Sequence, residues 1–131
     1  MAAIEIKIID DLLIATVSGT LTAAEVIEVV NEYYPGGVVR NVIWDLTHGS
    51  LHFISHEGFR SIAKAAKEAG ASGIRRNGKT VYVGSNEIEC GLLSMYTAIA
   101  EVTGVAAKYE VFTTIREAED WIVLAVDKQV A

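Results

Sequence analysis

The hydrophobic positions along the chain change their period several times, beginning with simple alternation. Apolar and polar residues alternate over Ile4–Ile9, and a second apolar segment, Leu12–Gly19, follows the acidic residues Asp10 and Asp11. Two such segments joined by a short turn are typical of a β-hairpin. We therefore expect the chain to begin with two antiparallel strands.

Strands and helices alternate after this hairpin. Further strands are predicted at Asn41–Leu46, Thr80–Gly84 and Ala107–Phe112, and the first of these is nearly continuous in apolar residues, as in a strand covered on both faces. Strands that alternate with helices favour right-handed crossovers and a mostly parallel sheet. The pattern predicts a single α/β domain over residues 1–131, in the order ββαβαβαβα, with an antiparallel N-terminal edge hairpin and four helices.

Three of the four predicted helices begin with a capping box, in which Thr or Asn stands three residues before Glu. The pairs are Thr22 and Glu25, Asn86 and Glu89, and Thr114 and Glu117. The second helix differs, because its N-cap is Ser55 and the residue three positions later is Gly58. A local rule that one element breaks and its siblings keep indicates a functional position. This helix start also follows the carboxyl end of a central strand, where α/β sheets place their ligands, and its free N–H groups favour an anion.

The residues around this helix start resemble a known family. The strand ends in Asp45–Thr47, an apolar pair follows at Phe53–Ile54, and Gly58 lies in the first turn of the helix. This succession resembles the central segment of STAS domains, the fold of anti-sigma factor antagonists. The element order and the closing segment Val111–Ile122 are similar to the SpoIIAA-like branch, which is also compared with the CRAL-TRIO lipid-binding fold. The resemblance covers nearly the whole chain and implies a STAS-like (SpoIIAA-like) fold.

The resemblance also implies a regulatory role, with one departure. In the antagonists, the serine before that glycine accepts a phosphate that switches partner binding, whereas this chain has Glu57 there. A carboxylate carries one charge against roughly 1.5–2 for a phosphate. We expect a non-catalytic protein-interaction or regulatory module without the standard phospho-acceptor, docking a protein partner through a fixed acidic turn. The residues expected to bind the partner, or a small ligand in its place, are Asp45, Thr47, Ser55, His56, Glu57 and Gly58.

Metal binding and catalysis have weaker support. His48, His52 and His56 recur every fourth residue, which imitates a metal site on a helix, but Gly49 and Ser50 disfavour a helix there. We expect His48 and His52 in a loop, and neither a metal nor another cofactor. Cys90 lies among apolar helical positions, as a packed thiol does, and no nucleophile elbow, phosphate loop or dinucleotide motif occurs. An enzyme of unknown chemistry is the third alternative.

The apolar content favours a partner or ligand. Hydrophobic residues make up 51% of the chain, with a mean hydropathy of +0.33. The third helix has a broad apolar stripe, for which core packing is the first interpretation. Two more specific interpretations are a homodimer face and the wall of an apolar pocket. Either would be formed by Leu92, Met95, Tyr96 and Ile99. The second candidate function is accordingly a small carrier or sensor of an apolar ligand or lipid.

Charge and cysteine content bear on the binding of nucleic acid or membranes and on the cellular compartment. The formal charge of -6 disfavours nucleic acid and anionic lipid. One cysteine makes no internal disulfide, the N-terminus lacks a signal-peptide pattern, and the apolar run Trp121–Val126 is too short to span a membrane. We expect a cytoplasmic protein. The basic segment with Arg75, Arg76 and Lys79 is typical of a solvated turn. If it lies near Lys64 and Lys67, it would instead form a binding site for a phosphate or an acidic partner.

Overall fold

The computed structural model describes residues 2–35, 39–70, 78–105 and 107–130, the segment 124–130 by its backbone alone. Arg75 and Arg76 of the predicted basic turn lie outside the described residues. The strands are β1 (Ala3–Ile9), β2 (Leu12–Thr20), β3 (Asn41–Ser50), β4 (Lys79–Gly84) and β5 (Lys108–Phe112), and the helices are α1 (Ala23–Tyr33), α2 (His56–Ala69), α3 (Glu87–Thr103) and α4 (Ile115–Val130).

The five strands form one sheet in chain order, β1-β2-β3-β4-β5. β1 pairs antiparallel with β2, and all other neighbours pair in parallel. Since each right-handed crossover moves one strand further in the same direction, the connecting helices lie on one face of the sheet. α1 accordingly packs on α2 and α2 on α3, whereas α4 packs on β3, β4 and β5 from the other face. The predicted element order and the mixed sheet are confirmed.

The alternation of β3 divides the core into two parts. Val42 and Trp44 are buried in the larger core beneath α1, α2 and α3, whereas Ile43 between them is buried beneath α4. The smaller core contains Ile43, Val81, Val83, Ala118 and Ile122. Because both faces of β3 are covered, its apolar run is nearly continuous, as the sequence predicts.

β3 is longer than predicted and contains a bulge. It continues past Leu46 to Ser50, and its register with β2 shifts because Thr16 pairs with Asp45 and Ser18 with His48, three residues further on. One extra residue on β3 accounts for that shift. The expectation that His48 lies in a loop is therefore wrong, since the second half of β2 extends the ladder beyond the apolar run. His52 does lie in the turn after the strand.

The buried face of α3 is not centred on the stripe that the sequence suggests. Its buried residues are Glu89, Leu93, Tyr96 and Ala100. Ile88, Met95 and Val102, which belong to the same apolar set, are exposed. At 100° per residue, the buried row and the exposed apolar row of α3 are about 110° apart. Hydrophobicity alone does not indicate which of the two rows faces the sheet.

Gly84, just before α3, and Gly91, within it, differ in how much space a side chain would have. A Cβ at Gly84, the end of β4, would lie 2.6 Å from Cys90 Sγ and 3.1 Å from Cys90 N. A Cβ at Gly91, on the exposed side of α3, would meet nothing within 4 Å. The start of α3 thus lies close to the backbone of β4, and Cys90 is a packing residue at this approach.

We expect Gly84→Ala to destabilise the protein by about 1–3 kcal/mol through overpacking. Gly91→Ala is the matched control, and it should stabilise the protein by about 0.5–1 kcal/mol because alanine is the better residue inside a helix. Urea unfolding measures both. Cys90→Ala should restore part of the loss in Gly84→Ala, because it removes the thiol but not the backbone contact. Equal midpoints for the two glycine variants would contradict the close approach.

Candidate functional site

The turn between β3 and α2 stands at the carboxyl edge of the parallel strands. Leu51 and Ile54 are buried in the main core, and Ile54 N donates to Leu51 O at 2.9 Å. Phe53 between them is 73% exposed. The predicted apolar pair is therefore divided: Ile54 anchors the turn, and Phe53 projects into solvent.

A buried carboxylate from α3 holds this turn. Glu89 is 6% exposed, and its Oε2 accepts a hydrogen bond of 3.0 Å from Leu51 N. Its Oε1 accepts one of 2.9 Å from Ser50 Oγ. A buried carboxyl group needs such partners because leaving its oxygens without hydrogen bonds costs about 1–3 kcal/mol. The first turn of α3 is therefore bonded to the end of β3, across a separation of 38 residues.

The predicted capping box of α3 is only half formed. Asn86 Oδ1 does accept from Glu89 N at 2.9 Å, but the Glu89 carboxylate bonds Ser50 and Leu51 instead of returning to its own cap. In α1 the box between Thr22 and Glu25 is complete. Sequence reasoning missed Glu89 as a site residue. The signal was its helical phase, because it lies on one row with buried apolar residues.

The start of α2 carries four of the predicted docking residues. Ser55 is the N-cap, as predicted, and its Oγ accepts from Gly58 N at 3.0 Å. His56 and Glu57 are exposed in the first turn. A Cβ at Gly58 would lie 3.1 Å from Ile54 Cγ2 and 3.4 Å from a side-chain atom of α1. A glutamate at this position would crowd Ile54 and α1, which gives the missing capping box a packing cause.

Asp45 and Thr47 form a separate pair. Asp45 Oδ1 accepts from Thr47 N at 3.0 Å and also from Thr47 Oγ1. Because Trp44 and Leu46 face the main core, Asp45 between them faces the α4 side of the sheet. Among the described residues, no hydrogen bond joins this pair to the start of α2. The structure thus brings Ser55, His56, Glu57 and Gly58 together and places Asp45 and Thr47 apart from them.

The three histidines do not converge. His48 is exposed on β3, His52 lies in the turn, and His56 is in the first turn of α2. The His52 Nδ1 contacts Ser50 Oγ, and its ring centroid is 4.4 Å from that of Phe53. No group of three histidine, cysteine or acidic residues in the described ranges is arranged to hold a metal. His52 instead packs beside the exposed aromatic ring.

The main core contains a small apolar space between the sheet and α1, α2 and α3. Its volume is about 40 Å³, and Trp44, Phe59, Tyr82 and Tyr96 are among its lining residues. Of the four predicted pocket residues, Tyr96 lines it, and Leu92, Met95 and Ile99 do not. In this measure roughly 10–15 Å³ holds one water, and sites for small molecules measure roughly 300–1,000 Å³. The space has room for a few waters in this conformation, so an apolar ligand would require it to widen.

No described helix is long and apolar enough to cross a bilayer. No family model and no curated protein matches the sequence.

Solved structures do match, across nearly the whole chain. An anti-sigma factor antagonist from Mycobacterium paratuberculosis superposes with a TM-score of 0.59 at 13% identity, covering 93% of this chain and 94% of that one. Unphosphorylated SpoIIAA, an anti-sigma factor antagonist, gives 0.54 at 12% identity, with 92% and 97% covered. A DUF3478 protein with a SpoIIAA-like fold from Shewanella loihica PV-4 gives 0.57 at 18% identity, with 92% and 93% covered. The resemblance drawn from the sequence is confirmed at the level of architecture: the chain has the STAS-type, SpoIIAA-like fold of the anti-sigma factor antagonists.

Proposed function

We propose that the protein is a non-catalytic protein-interaction or regulatory module that docks a protein partner at the turn between β3 and α2. The observation that carries the proposal is the exposure of Phe53 on a turn that a buried carboxylate holds. Exposed aromatic side chains are typical anchors of protein interfaces. A turn that is already ordered loses little conformational entropy when a partner binds it.

The charge at the starts of α2 and α3, the two helices joined to the turn, indicates the chemistry of the partner. Glu57 and Glu87 are exposed in the first turns of α2 and α3, whose helix dipoles favour acidic side chains. A partner that inserts an apolar side chain beside Phe53 and presents basic residues at the rim fits this surface. By the resemblance, Glu57 stands where the antagonists have their phospho-acceptor. The docking surface therefore has an acidic side chain that requires no phosphorylation.

The second candidate, a carrier of an apolar ligand or lipid, is supported by the aromatic lining of the core space but opposed by its volume of about 40 Å³. A homodimer that buries the exposed apolar residues of α3 is the competing proposal for that surface. An enzyme of unknown chemistry has no arrangement of described residues in its favour beyond the contact of Ser50 with His52 and Glu89, which orders the turn.

Photo-crosslinking at position 53 tests the docking turn. Benzoylphenylalanine in place of Phe53 should crosslink a protein from the native lysate, and the same residue in place of Val123, which is exposed on α4 at the opposite face, should not. With that partner purified, Phe53→Ala should weaken binding at least tenfold, or about 1.4 kcal/mol, and Glu57→Gln several-fold. Calorimetry measures both. Unchanged affinity of Phe53→Ala would refute the docking turn.

The Glu89 bridge gives a second prediction. Glu89→Ala leaves Leu51 N and Ser50 Oγ without their acceptor, so we expect it to reduce the free energy of unfolding by about 1–3 kcal/mol. Amide exchange over residues 51–54 should accelerate more than exchange in α1, because the turn loses its fixation. Glu87→Ala, which removes an exposed acid of the same helical turn, should change stability by less than about 0.5 kcal/mol. Unaltered exchange over residues 51–54 would show that the bridge does not hold the turn.

A further inference from the structure

The outer surface between α2 and α3 has one basic side and one apolar side. On α2, the exposed residues Arg60, Lys64 and Lys67 follow a spacing of four and three, which places them in one row. On α3, a row with the spacing four, three, four, three contains Ile88, Leu92, Met95, Ile99 and Val102. We call this surface the α2–α3 groove.

The two rows face each other across the groove. Lys67 Nζ is 3.7 Å from the position of a Cβ on Gly104, so the basic row runs beside the end of α3. On α3, the Cys90 Sγ approaches Phe112 O on β5, the strand on the side away from α2. Leu92 is 200° further round the helix than Cys90 and therefore lies on the α2 side, and the rest of its row follows it.

The groove is open in the described structure. Ile88 is 74% exposed and Val102 is 90% exposed, at the two ends of the apolar row, and Met95 between them is also exposed. The ion pair among the described residues joins Arg40 to Asp11, and none of the three cations of the basic row has an acidic partner within 4 Å. α4 packs on the other face of the sheet, so no described helix or strand covers the groove.

Charge determines which occupant fits. On a chain with a formal charge of -6, three cations in a row that have no acidic partner within 4 Å among the described residues form a local positive strip. By helical phase, Glu57 and Glu68 lie about 20–40° beyond Lys64 on the side away from α3, and Glu101 lies on the far side of α3. The apolar row spans 14 residue steps, or about 21 Å at 1.5 Å each, which is the length of a helix of roughly four turns.

We propose that the α2–α3 groove binds an amphipathic helix of a partner protein, with apolar residues against α3 and acidic residues against α2. This is the helix-in-groove mode, in which anchors at i, i+3, i+4 and i+7 meet an apolar wall. A second copy of the chain fits less well: the acidic helix α1 exposes Ala24, Glu28, Asn31 and Glu32, none of which is a large apolar side chain. An anionic membrane fits less well because the molecule as a whole is acidic.

A pair of designed peptides tests the proposal. The first is an 18-residue helix with leucine along one face and glutamate beside it, and the second has lysine in place of every glutamate. The acidic peptide should bind and shift amide resonances of α2 and α3 in an NMR titration. The basic peptide should bind at least tenfold more weakly, since like charges meet across the groove.

Variants of the groove sharpen the test. Lys64→Glu combined with Lys67→Glu should weaken the acidic peptide at least tenfold and should strengthen binding of the basic peptide. Met95→Ser combined with Val102→Ser should weaken both peptides. Lys7→Glu on β1 and Val123→Ser on α4 are controls of matched chemistry that should change neither affinity. Phe53→Ala should also leave both unchanged, so the groove and the docking turn succeed or fail independently.

Four results of the peptide experiments would overturn the proposal. They are no saturable binding of the acidic peptide, equal binding of both peptides, no effect of the charge reversal, and resonance shifts confined to other elements. A dimer in sedimentation analysis that Met95→Glu dissociates would assign the groove to a second copy and also overturn it. So would co-sedimentation with phosphatidylserine vesicles that depends on Lys64 and Lys67 in a protein that binds neither peptide.

Discussion

The Glu89 carboxylate is the constraint on which the rest of the candidate site depends. It is almost completely removed from water, so its two hydrogen bonds, from Ser50 Oγ and Leu51 N, are obligatory. They support the rotation of α3 that buries Leu93 and Tyr96, which face the sheet with the same helical phase as Glu89. They also hold the turn after β3. The interaction thus fits α3 and the turn to each other.

The bulge in β3 makes that interaction possible. Leu46 and Leu51 are both buried in the main core although they are five positions apart, and regular alternation would place residues separated by an odd number on opposite faces. The extra residue between Asp45 and His48 changes the phase of the strand. After it, Leu51 points into the core and its N–H reaches Glu89. Gly49 completes this arrangement, since a Cβ there would lie 3.1 Å from Val17 Cγ1.

The sequence determines the elements well and their phases poorly. Alternation, caps and apolar spacing predict the order of nine elements, because these signals are local. The bulge depends on the register between β2 and β3, which are separated in sequence by α1, and no local signal encodes it. The capping motif of Asn86 and Glu89 is equally misleading: half of it forms, and the other half is replaced by a bond across 38 residues. The buried row of α3 contains Glu89, and a glutamate is not expected in a buried row from hydrophobicity alone.

The location of the apolar excess bears on function more than its amount. The core space of about 40 Å³ shows that the interior absorbs its apolar side chains almost completely. Large exposed apolar side chains lie at Phe53 and along the row from Ile88 to Val102, and also at Ile8 and Ile9 on β1 and at Val123 on α4. An interior ligand would place the excess around a cavity, whereas a protein partner requires it on a rigid surface beside charged groups. The distribution in this molecule is of the second kind, which favours interaction over storage of a small molecule.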